Sequence, residues 1–459
     1  AILKMLVQLL LLGVASAKVY LYGPADLKQR IEDEYRTDEI PSSLANFGNP
    51  PYNKVILGRV FVPDLDEHKQ ACNNLNPINF NFDPDGINTP ILLVQRGGCS
   101  FVVKVRNAQN IGASAVVIYD DRQENVENVV MIDDGTAGNI FIPSFLIPKK
   151  AGELIHEELT STREPHYVAM TLTFEMNRPD NRVEYELWLS SDHQLARQFL
   201  QEFAPMARLF DDESAKMTPN YVLWYCGTCS PEYTTDHPDC VSGGRYCAPD
   251  PDYWGPRTGR EIVMEDLRQL CIYKQTRDEE DENIWWDYVE VFSKSCVDRD
   301  FNKECSEKAM KKVDIDPNQI DKCVRDSFDG PDEKLDDNWL LRAQRDKLLS
   351  SGVIFYPSII INNQTFRGDL EAPEVMEAIC AGFREKPEAC FSHEEEDLRP
   401  RSGIGAGTLL LIIFFSMVLL AAILYFYRYW VRKEMNQEMR SQVNSAVSQY
   451  IALTEQSRD

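Results

Sequence analysis

Residues 90–121 read PILLVQRGGCSFVVKVRNAQNIGASAVVIYDD, and this stretch decides the fold of the first part of the chain. The apolar run Pro90 to Gln95 predicts a buried strand. Ser100 to Ile111 carries apolar residues at helical spacing, and Gly112 follows where a C-terminal cap belongs. Ala115 to Tyr119 predicts a second short, buried strand. Strand, turn, helix and strand in this order predict a small α/β domain.

The same alternation continues on both sides of this stretch, over residues 18–180. Within the helix that begins at Ser100, Lys104 and Arg106 are expected to lie on the surface. The further elements predicted from the apolar pattern are strands at Val55 to Val62, Ile140 to Ile147 and Val168 to Phe174, and a helix at Lys149 to Leu159.

The turn between the first strand and the helix has features of a binding loop. Gly97 and Gly98 let the backbone pass close to a ligand. The helix N-terminus offers unpaired N–H groups that can hold a carboxylate or a carbonyl, and Arg96 adds a forked donor. An ordinary tight turn with a surface arginine explains the same residues equally well.

The cysteine pattern indicates disulfides. All 12 cysteines lie between Cys72 and Cys390, in the part of the chain predicted below to be translocated. Cys72 and Cys99 are the only two before Cys226, and we predict that they pair and close a long loop. Cys226-x-x-Cys229 resembles half of a zinc site, but no second C-x-x-C or H-x-x-x-H pair follows. We therefore predict no metal and no cofactor.

One long apolar run lies near the end of the chain. Thr408 to Tyr427 is twenty residues without a charge, and a helix of that length spans roughly the 30 Å hydrocarbon core of a bilayer. Basic residues follow it, which favours a cytosolic tail. We predict a juxtamembrane linker at 391–403, a transmembrane helix at 404–427 and a cytosolic tail at 428–459.

The N-terminus sets the orientation of this span. Lys4, the apolar stretch Met5 to Val14 and Ala15-Ser16-Ala17 form a secretory signal peptide, predicted at 1–17 with cleavage before Lys18. A short N-terminal anchor is the alternative, but the run is too short to cross a bilayer. The chain is therefore predicted to be a type I membrane protein.

The net charge of the chain limits the kinds of ligand that it is expected to bind. The formal net charge is −25. The tail holds five basic and four acidic residues, a net of +1, and 403–427 holds no charge, so the lumenal side has a net charge of −26. This acidity argues against nucleic acid and is compatible with basic ligands. Solubility alone also accounts for much of it.

The second domain is predicted at 181–390 with a thioredoxin-like fold. A strand at Tyr221 to Trp224 runs into Cys226-x-x-Cys229, and a later strand at Val353 to Asn362 has a proline near its start. A cysteine-rich helical insertion separates them. Its predicted helices cover Ile262 to Tyr273, Trp285 to Cys296 and Cys305 to Val313.

The chemistry of Cys226 and Cys229 remains open at this point. A dithiol at a helix N-terminus has a depressed pKa and exchanges disulfides, and Tyr356-Pro357 would supply the neighbouring cis-proline loop. That combination would make a membrane-anchored thiol oxidoreductase. A structural disulfide explains the pair as well. Because the chain has no nucleophile elbow, P-loop, GxGxxG or H-E-x-x-H motif, we predict that it is not an enzyme.

Two short motifs add expectations. Asn363-Gln364-Thr365 is the N-x-S/T sequon of the chain and predicts glycosylation at Asn363. Tyr450-Ile451-Ala452-Leu453 in the tail is typical of a sorting signal read by clathrin adaptors, in which Tyr450 and Leu453 fill two pockets.

The central motif also carries a family resemblance. RGGCSFVVKVRNAQNIGASAVVIYDD resembles the protease-associated (PA) domain. The sequence is then similar, motif by motif, to the lumenal region of plant-type vacuolar sorting receptors. The matching motifs are RVEYELW (182–188), GRYCAPDPD (244–252), DLRQLC (266–271), WWDYV (285–289), KECSEK (303–308) and NNQTFRG (362–368).

This resemblance implies a cargo receptor of Golgi, trans-Golgi network and prevacuolar or endosomal membranes. It would sort soluble proteins by their sorting peptides and recruit clathrin adaptors, and its PA domain implies no protease. The cargo-binding loop implied by the resemblance consists of Arg96, Gly97, Gly98, Cys99, Ser100, Phe101, Val102 and Val103. The chain departs from the family in lacking EGF-like repeats before the predicted anchor, so their calcium binding is not carried over. A surface adhesion or structural glycoprotein is the remaining alternative.

Overall fold

The computed structural model describes part of the chain. The described residues are 17–63, 68–75, 89–160, 167–211, 213–226, 238–248, 257–278, 283–391, 417 and 419–430. The chain divides into two compact units, Ala1–Cys390 and Phe391–Asp459. The first unit contains both predicted lumenal domains.

The first domain is built on one sheet of eight strands. They are β1 (Ala17–Gly23), β2 (Glu39–Ile40), β3 (Ser43–Leu44), β4 (Val55–Phe61), β5 (Thr89–Gln95), β6 (Ala115–Tyr119), β7 (Ser144–Ile147) and β8 (Ala169–Phe174). Their order in the sheet is β2-β1-β8-β4-β5-β6-β7-β3. The central strands β4 to β7 run parallel to one another, and the outer strands pair antiparallel.

Helices cover both faces of this sheet, which explains why its central strands are apolar throughout. The helices are α1 (Ala25–Tyr35), α2 (Phe101–Asn110) and α3 (Lys149–Thr160). Successive side chains of a strand point to opposite faces. Ile91 and Leu93 therefore join the core beneath α1 and α3, whereas Leu92 and Val94 pack against α2.

The second domain has a four-stranded sheet in the order β10-β9-β13-β14. A βαβ unit comes first, and a ββα unit completes the sheet. Its elements are β9 (Val183–Leu189), α4 (Gln194–Ala207), β10 (Ala215–Tyr221), β13 (Ser358–Ile361), β14 (Gln364–Thr365) and α10 (Ala372–Ala381). β9 and β10 are parallel, and β13 pairs antiparallel with β9. The mixed α/β prediction for both domains is confirmed.

A mostly helical insertion lies between β10 and β13. Its elements are β11 (Cys240–Val241), β12 (Tyr246–Cys247), α5 (Gly259–Asp278), α6 (Asn283–Ser295), α7 (Lys303–Lys312), α8 (Pro317–Asp326) and α9 (Trp339–Ser351). The aromatic side chains of Trp188 and Trp285 are fully buried where the insertion meets the sheet. The disulfides between described cysteines are Cys72–Cys99, Cys240–Cys247, Cys271–Cys323, Cys296–Cys305 and Cys380–Cys390.

A short segment of the first domain fastens it to the second. Tyr52, only 4% exposed, belongs to the core of the second domain. Its hydroxyl donates to the carbonyl of Arg367 at 2.7 Å and accepts from the Arg367 N–H at 2.8 Å. The Gly48 N–H donates to Oδ1 of Asp369 at 3.1 Å, and the Asp369 N–H donates to the Gly48 carbonyl at 3.0 Å. The two domains are therefore joined by packing and by paired hydrogen bonds.

The predicted membrane span lies mostly outside the described residues. In the part of the chain that the structure describes, no helix combines the length and apolar character that a bilayer crossing requires. A helix is present over 419–430. The signal peptide up to residue 16, the tail from residue 431, and thus Tyr450 and Leu453, also lie outside the described residues.

Candidate functional site

The predicted binding loop lies at the carboxyl edge of the parallel strands. Residues 96–100 follow β5, and Asp120 follows the neighbouring strand β6. The Arg96 N–H donates to the carbonyl of Tyr119 at 2.9 Å, so the first residue of the turn continues the hydrogen bonding between β5 and β6. Ligand sites of open α/β sheets form at this edge.

The two glycines are required by the path of the backbone. Gly97 and Gly98 have φ of 105° and 78°, which is the left-handed region that favours glycine. A Cβ on Gly98 would stand 2.4 Å from Oε1 of Gln70 and 3.0 Å from Sγ of Cys72. The structure joins Cys72 to Cys99, with a Cα–Cα distance of 5.6 Å. The loop is thus packed directly onto the segment that contains Gln70 and Cys72.

A buried lysine holds the loop from beneath. We expected Lys104 on the helix surface, and this was wrong, because its side chain is fully buried. Its ammonium group donates to the carbonyls of Gly97 and Gln70, each at 2.6 Å. Removal from water lowers its pKa to about 8. No pattern in the sequence indicates this role, since a lysine on an amphipathic helix normally faces solvent.

The guanidinium of Arg96 is already engaged by the protein. It donates to Asp120 at 2.9 Å and to Glu124, and Asp121 stands 3.8 Å away. It also lies over the Phe101 ring at 5.6 Å. In this arrangement two carboxylates occupy Nη1 of Arg96, so this side of the guanidinium shapes the loop.

Ser100 begins α2 and connects the loop to a second one. Its hydroxyl accepts from the Val103 N–H at 3.3 Å as the N-cap and donates to Asp134 at 2.5 Å. The N–H groups of Phe101 and Val102 find no acceptor among the described residues. They are therefore available to an anion or carbonyl at the helix N-terminus.

The predicted loop residues differ in exposure. Gly98 is exposed, while Arg96, Gly97, Cys99, Ser100, Phe101 and Val103 are half-buried. The Val102 side chain is fully buried against the sheet. A ligand can therefore reach the backbone of the turn and one face of Phe101, whereas the Val102 side chain serves the core.

Cys226 follows the second strand of this domain, β10, and not the first, β9. β10 ends at Tyr221, three residues before the predicted strand does. Cys226 follows β10, donates its N–H to Gly244 at 3.0 Å and is disulfide-bonded; Cys229 lies outside the described residues. In a βαβ unit followed by ββα, a dithiol would act at the start of the helix after the first strand. That place belongs to α4, which follows β9.

The chain between β9 and α4 is the part that faces the cis peptide Tyr356–Pro357. It contains Ser190, Ser191, Asp192 and His193 in place of cysteines. The rings of His193 and Tyr356 are 5.2 Å apart. This arrangement supplies no thiol at the position where thioredoxin-like chemistry needs one.

Two further predictions concern single features. Asn363 lies at the exposed tip of the β13–β14 hairpin with a φ of 62°, so its glycosylation stays a prediction. Within the described ranges, no group of three or more His, Cys, Asp or Glu side chains is arranged to hold a metal ion.

Fold and loop together define a two-domain module, a PA domain followed by a thioredoxin-like domain without the redox motif at α4. A model of the PA domain family matches residues 58–155. A model described as the vacuolar sorting receptor thioredoxin-like domain matches residues 183–380. The chain therefore carries the thioredoxin-like domain of the vacuolar sorting receptors, and the resemblance seen in its motifs is confirmed.

Individual relatives agree with this assignment. Vacuolar-sorting receptor 1 of Pisum sativum is 34% identical over 377 residues, which cover 77% of this chain and 59% of the relative. Vacuolar-sorting receptor 4 of Arabidopsis thaliana is 34% identical over 381 residues, with the same coverage. The chain thus spans about 59% of the length of these curated relatives. Among solved structures, the oxidoreductase DsbA of Xylella fastidiosa matches at 8% identity and a TM-score of 0.27, over 48% of this chain and 92% of that one.

Proposed function

We propose that this chain is a membrane-anchored receptor that binds soluble cargo proteins through a peptide sorting signal. The proposal rests on the structure of the loop at 96–103. Its backbone is exposed at Gly98, and the N–H groups of Phe101 and Val102 beside it have no acceptor in the part of the chain that the structure describes. A disulfide and the buried Lys104 fix its shape. The relatives are vacuolar-sorting receptors by name.

The geometry favours recognition by backbone contacts. A carboxylate or carbonyl of the peptide accepts from the N–H groups of Phe101 and Val102, where the helix dipole adds attraction. An apolar side chain of the peptide packs on the Phe101 ring. Arg96 keeps that ring and the turn in place through its carboxylate partners, so its contribution to affinity is mainly indirect.

The proposed transport function requires a membrane anchor and an adaptor-binding signal, and both lie in the C-terminal part of the chain. We place a transmembrane helix at 404–427 and an adaptor-binding signal at Tyr450 to Leu453. Support comes from the helix over 419–430, whose apolar side chains are exposed; for example, Leu424 is 60% and Phe426 61% exposed. A bilayer would cover such a surface. The tail peptide would bind a clathrin adaptor as an added strand.

The compartments proposed for this cycle are the Golgi, the trans-Golgi network and a prevacuolar or endosomal compartment. Cargo binds at neutral pH and leaves where the lumen is acidic. The net charge of −25 supplies many surface carboxylates, whose protonation near pH 5 weakens the attraction for a basic peptide.

Affinity capture tests the receptor function. The full chain is purified in detergent, incubated with a soluble extract of the source cells at pH 7 and eluted at pH 5, and the captured proteins are identified. Phe101→Ala should abolish capture, and Phe141→Ala should not. Phe141 is the matched control because it is 59% exposed in the same domain and lies outside the loop. Equal capture by both variants would contradict the assignment of the loop.

The transport step has its own test in cells. Tyr450→Ala should redirect the receptor to the cell surface and cause cargo to be secreted. An adhesion protein would already reside at the surface, and the same change would leave its location and the cargo unaffected.

A further inference from the structure

A cavity of about 280 Å³ lies in the helical insertion of the second domain. It is lined by α5, the start of α7, α8 and the chain at Glu333. All of these parts belong to the insertion, so the cavity is separate from the loop at 96–103. Ligand pockets typically occupy roughly 300–1,000 Å³, and this cavity therefore suits a small molecule.

The cavity is richer in positive charge than the chain as a whole. Its basic residues are Arg260, Arg268, Lys303 and Arg325, and its acidic residues are Glu261, Asp321 and Glu333. Four cations and three carboxylates give this lining a net charge of +1, in a chain whose formal net charge is −25. This concentration of cations indicates an anionic ligand.

Arg268 presents hydrogen-bond donors that the protein itself does not use. Its side chain is only 9% exposed, and its Nη1 donates to Oε2 of Glu265 at 3.0 Å. Glu265 is buried and accepts from the Tyr288 hydroxyl at 2.7 Å, so the guanidinium is held in one orientation. In the described part of the chain, no acceptor takes a hydrogen bond from Nε or Nη2 of Arg268. Because buried polar groups normally have partners, this free edge indicates an oxyanion in the cavity that accepts from both nitrogens.

Two further helices bring positive charge to the cavity. Arg325 is exposed on α8, and its side chain forms neither an ion pair nor a hydrogen bond with another described residue. α7 begins at Lys303 beside the cavity, where the helix dipole is positive. Lys303 adds its ammonium group, which stands 2.5 Å from Oδ2 of Asp321.

The carboxylates of the cavity do not use the free donors. Asp321 pairs with Lys303. Glu261 accepts from the Thr258 N–H at 3.2 Å and completes a capping box at the start of α5, and Glu333 is exposed to solvent. Within the part of the chain that the structure describes, none of the three pairs with Arg268 or Arg325, so both arginines remain available to a ligand.

The directions of the donors distinguish between kinds of anion. They come from three helices, α5, α7 and α8. A planar carboxylate is satisfied side-on by one guanidinium, whereas a phosphate group presents oxygens in three directions and carries a charge of nearly −2. We propose that this cavity binds the phosphate group of a small phosphorylated ligand, with Arg268 as the bidentate donor and with Arg325, Lys303 and the start of α7 neutralising its charge. This site does not depend on the receptor function proposed above.

Calorimetric titration with small anions tests the ligand class. The full chain in detergent, in a phosphate-free buffer of low ionic strength at pH 7, is titrated with glucose 6-phosphate, inorganic phosphate, glucose and succinate. Glucose 6-phosphate and phosphate should both bind, and glucose should not. Succinate, a dianion with planar acid groups, should bind at least tenfold more weakly than phosphate. Tighter binding of the ester than of phosphate would identify a sugar phosphate as the better ligand, and equal binding would identify free phosphate.

Substitutions then locate the binding site. Arg325→Gln, at an exposed position that does not disturb the fold, should weaken phosphate binding about tenfold, the effect of one unit charge at roughly 6 Å in a partly screened site. Lys322→Gln is the matched control, because Lys322 is exposed on the same helix but lines a different pocket; it should change the affinity less than twofold. Arg268→Lys keeps the charge beside Glu265 and removes the forked donor, and it should also weaken binding at least tenfold. Thermal unfolding of each variant checks that it is folded.

Three results would overturn the inference. The first is no saturable binding of phosphate or glucose 6-phosphate up to about 10 mM. The second is succinate binding as tightly as phosphate, because the cavity would then not select a tetrahedral anion. The third is equal weakening by Arg325→Gln and Lys322→Gln, which would show that the anions bind surface cations in general. None of these results affects capture of cargo by the loop, which the Phe101→Ala experiment decides.

Discussion

Replacing Asp369 by asparagine should stabilise the protein at neutral pH and leave it almost unchanged in acid. Asp369 is half-buried at the junction of the two domains, where it accepts from the Gly48 N–H at 3.1 Å. Its pKa is raised to about 6, chiefly by burial and also by the charges of Glu371 and Asp133, while the Gly48 hydrogen bond acts in the opposite direction.

The sign of the pH dependence follows from this shift. The folded protein holds a proton on Asp369 below about pH 6, whereas the unfolded chain holds it only below about pH 4. The contribution of this group to the free energy of unfolding is therefore complete below pH 4 and is lost as the pH rises to 6. A shift of about two units corresponds to about 3 kcal/mol, which we reduce to about 2 kcal/mol for the part of the side chain in contact with water.

Asp369→Asn removes the charge and keeps an oxygen that accepts from Gly48. The variant should be more stable than the wild type by about 2 kcal/mol at pH 7.5, or about 4 °C in Tm for a protein of this size. At pH 4.5 the difference should fall below about 1 kcal/mol. Scanning calorimetry of both proteins at the two pH values measures this, with Asp38→Asn at an exposed position of the first domain as the control. The reasoning is refuted if Asp369→Asn is no more stable at pH 7.5, or if its advantage is the same at pH 4.5.

Three other substitutions test the loop and the junction. The wild type should become more stable between pH 8 and 10 in urea unfolding, because Lys104, with its lowered pKa of about 8, loses its proton in the native state before it does in the unfolded chain. Lys104→Met should abolish this rise. An unchanged dependence of the unfolding free energy on pH would show that Lys104 is not the group responsible. Gly98→Ala should weaken cargo capture at least tenfold, because Gly98 has a φ of 78° and its Cβ would stand 3.0 Å from Sγ of Cys72. Wild-type capture would show that the turn adapts. Tyr52→Phe should lower the free energy of unfolding in urea by about 1–2 kcal/mol, because it leaves the partly buried N–H and C=O of Arg367 without the Tyr52 hydroxyl. A change near zero would mean that water replaces the hydroxyl.

The apolar pattern predicted the centre of the first domain well. Strands buried on both faces, such as β5 and β6, are apolar without interruption, and their position and type follow from that alone. The predicted strand from Ile140 starts only at Ser144 because Pro143 offers no N–H for the ladder. The helix α1 was missed, since only Leu27 and Ile31 of its eleven residues are buried.

The second domain shows where pattern reasoning fails. The apolar run Tyr221 to Trp224 predicted a strand, but the strand is β10, which includes Pro219 and polar residues. β10 forms the edge of its sheet, where a proline and polar side chains are tolerated. The prediction took the strand before the C-x-x-C as the first strand of the thioredoxin-like sheet, although that first strand is β9. The C-x-x-C was therefore assigned to the start of the next helix, a position that α4 occupies. Sequence spacing alone does not reveal which helix starts beside the cis peptide.

The Cys380–Cys390 disulfide has a mechanical consequence. It links α10 to the last residue of the first unit, so a force applied to the chain beyond residue 390 enters the domain at α10. Because the disulfide carries this force, residues 381–389 are not extended by it. In the receptor proposed above, tension on the anchor would reach the second domain through this bond and α10, a helix that packs in the core of that domain.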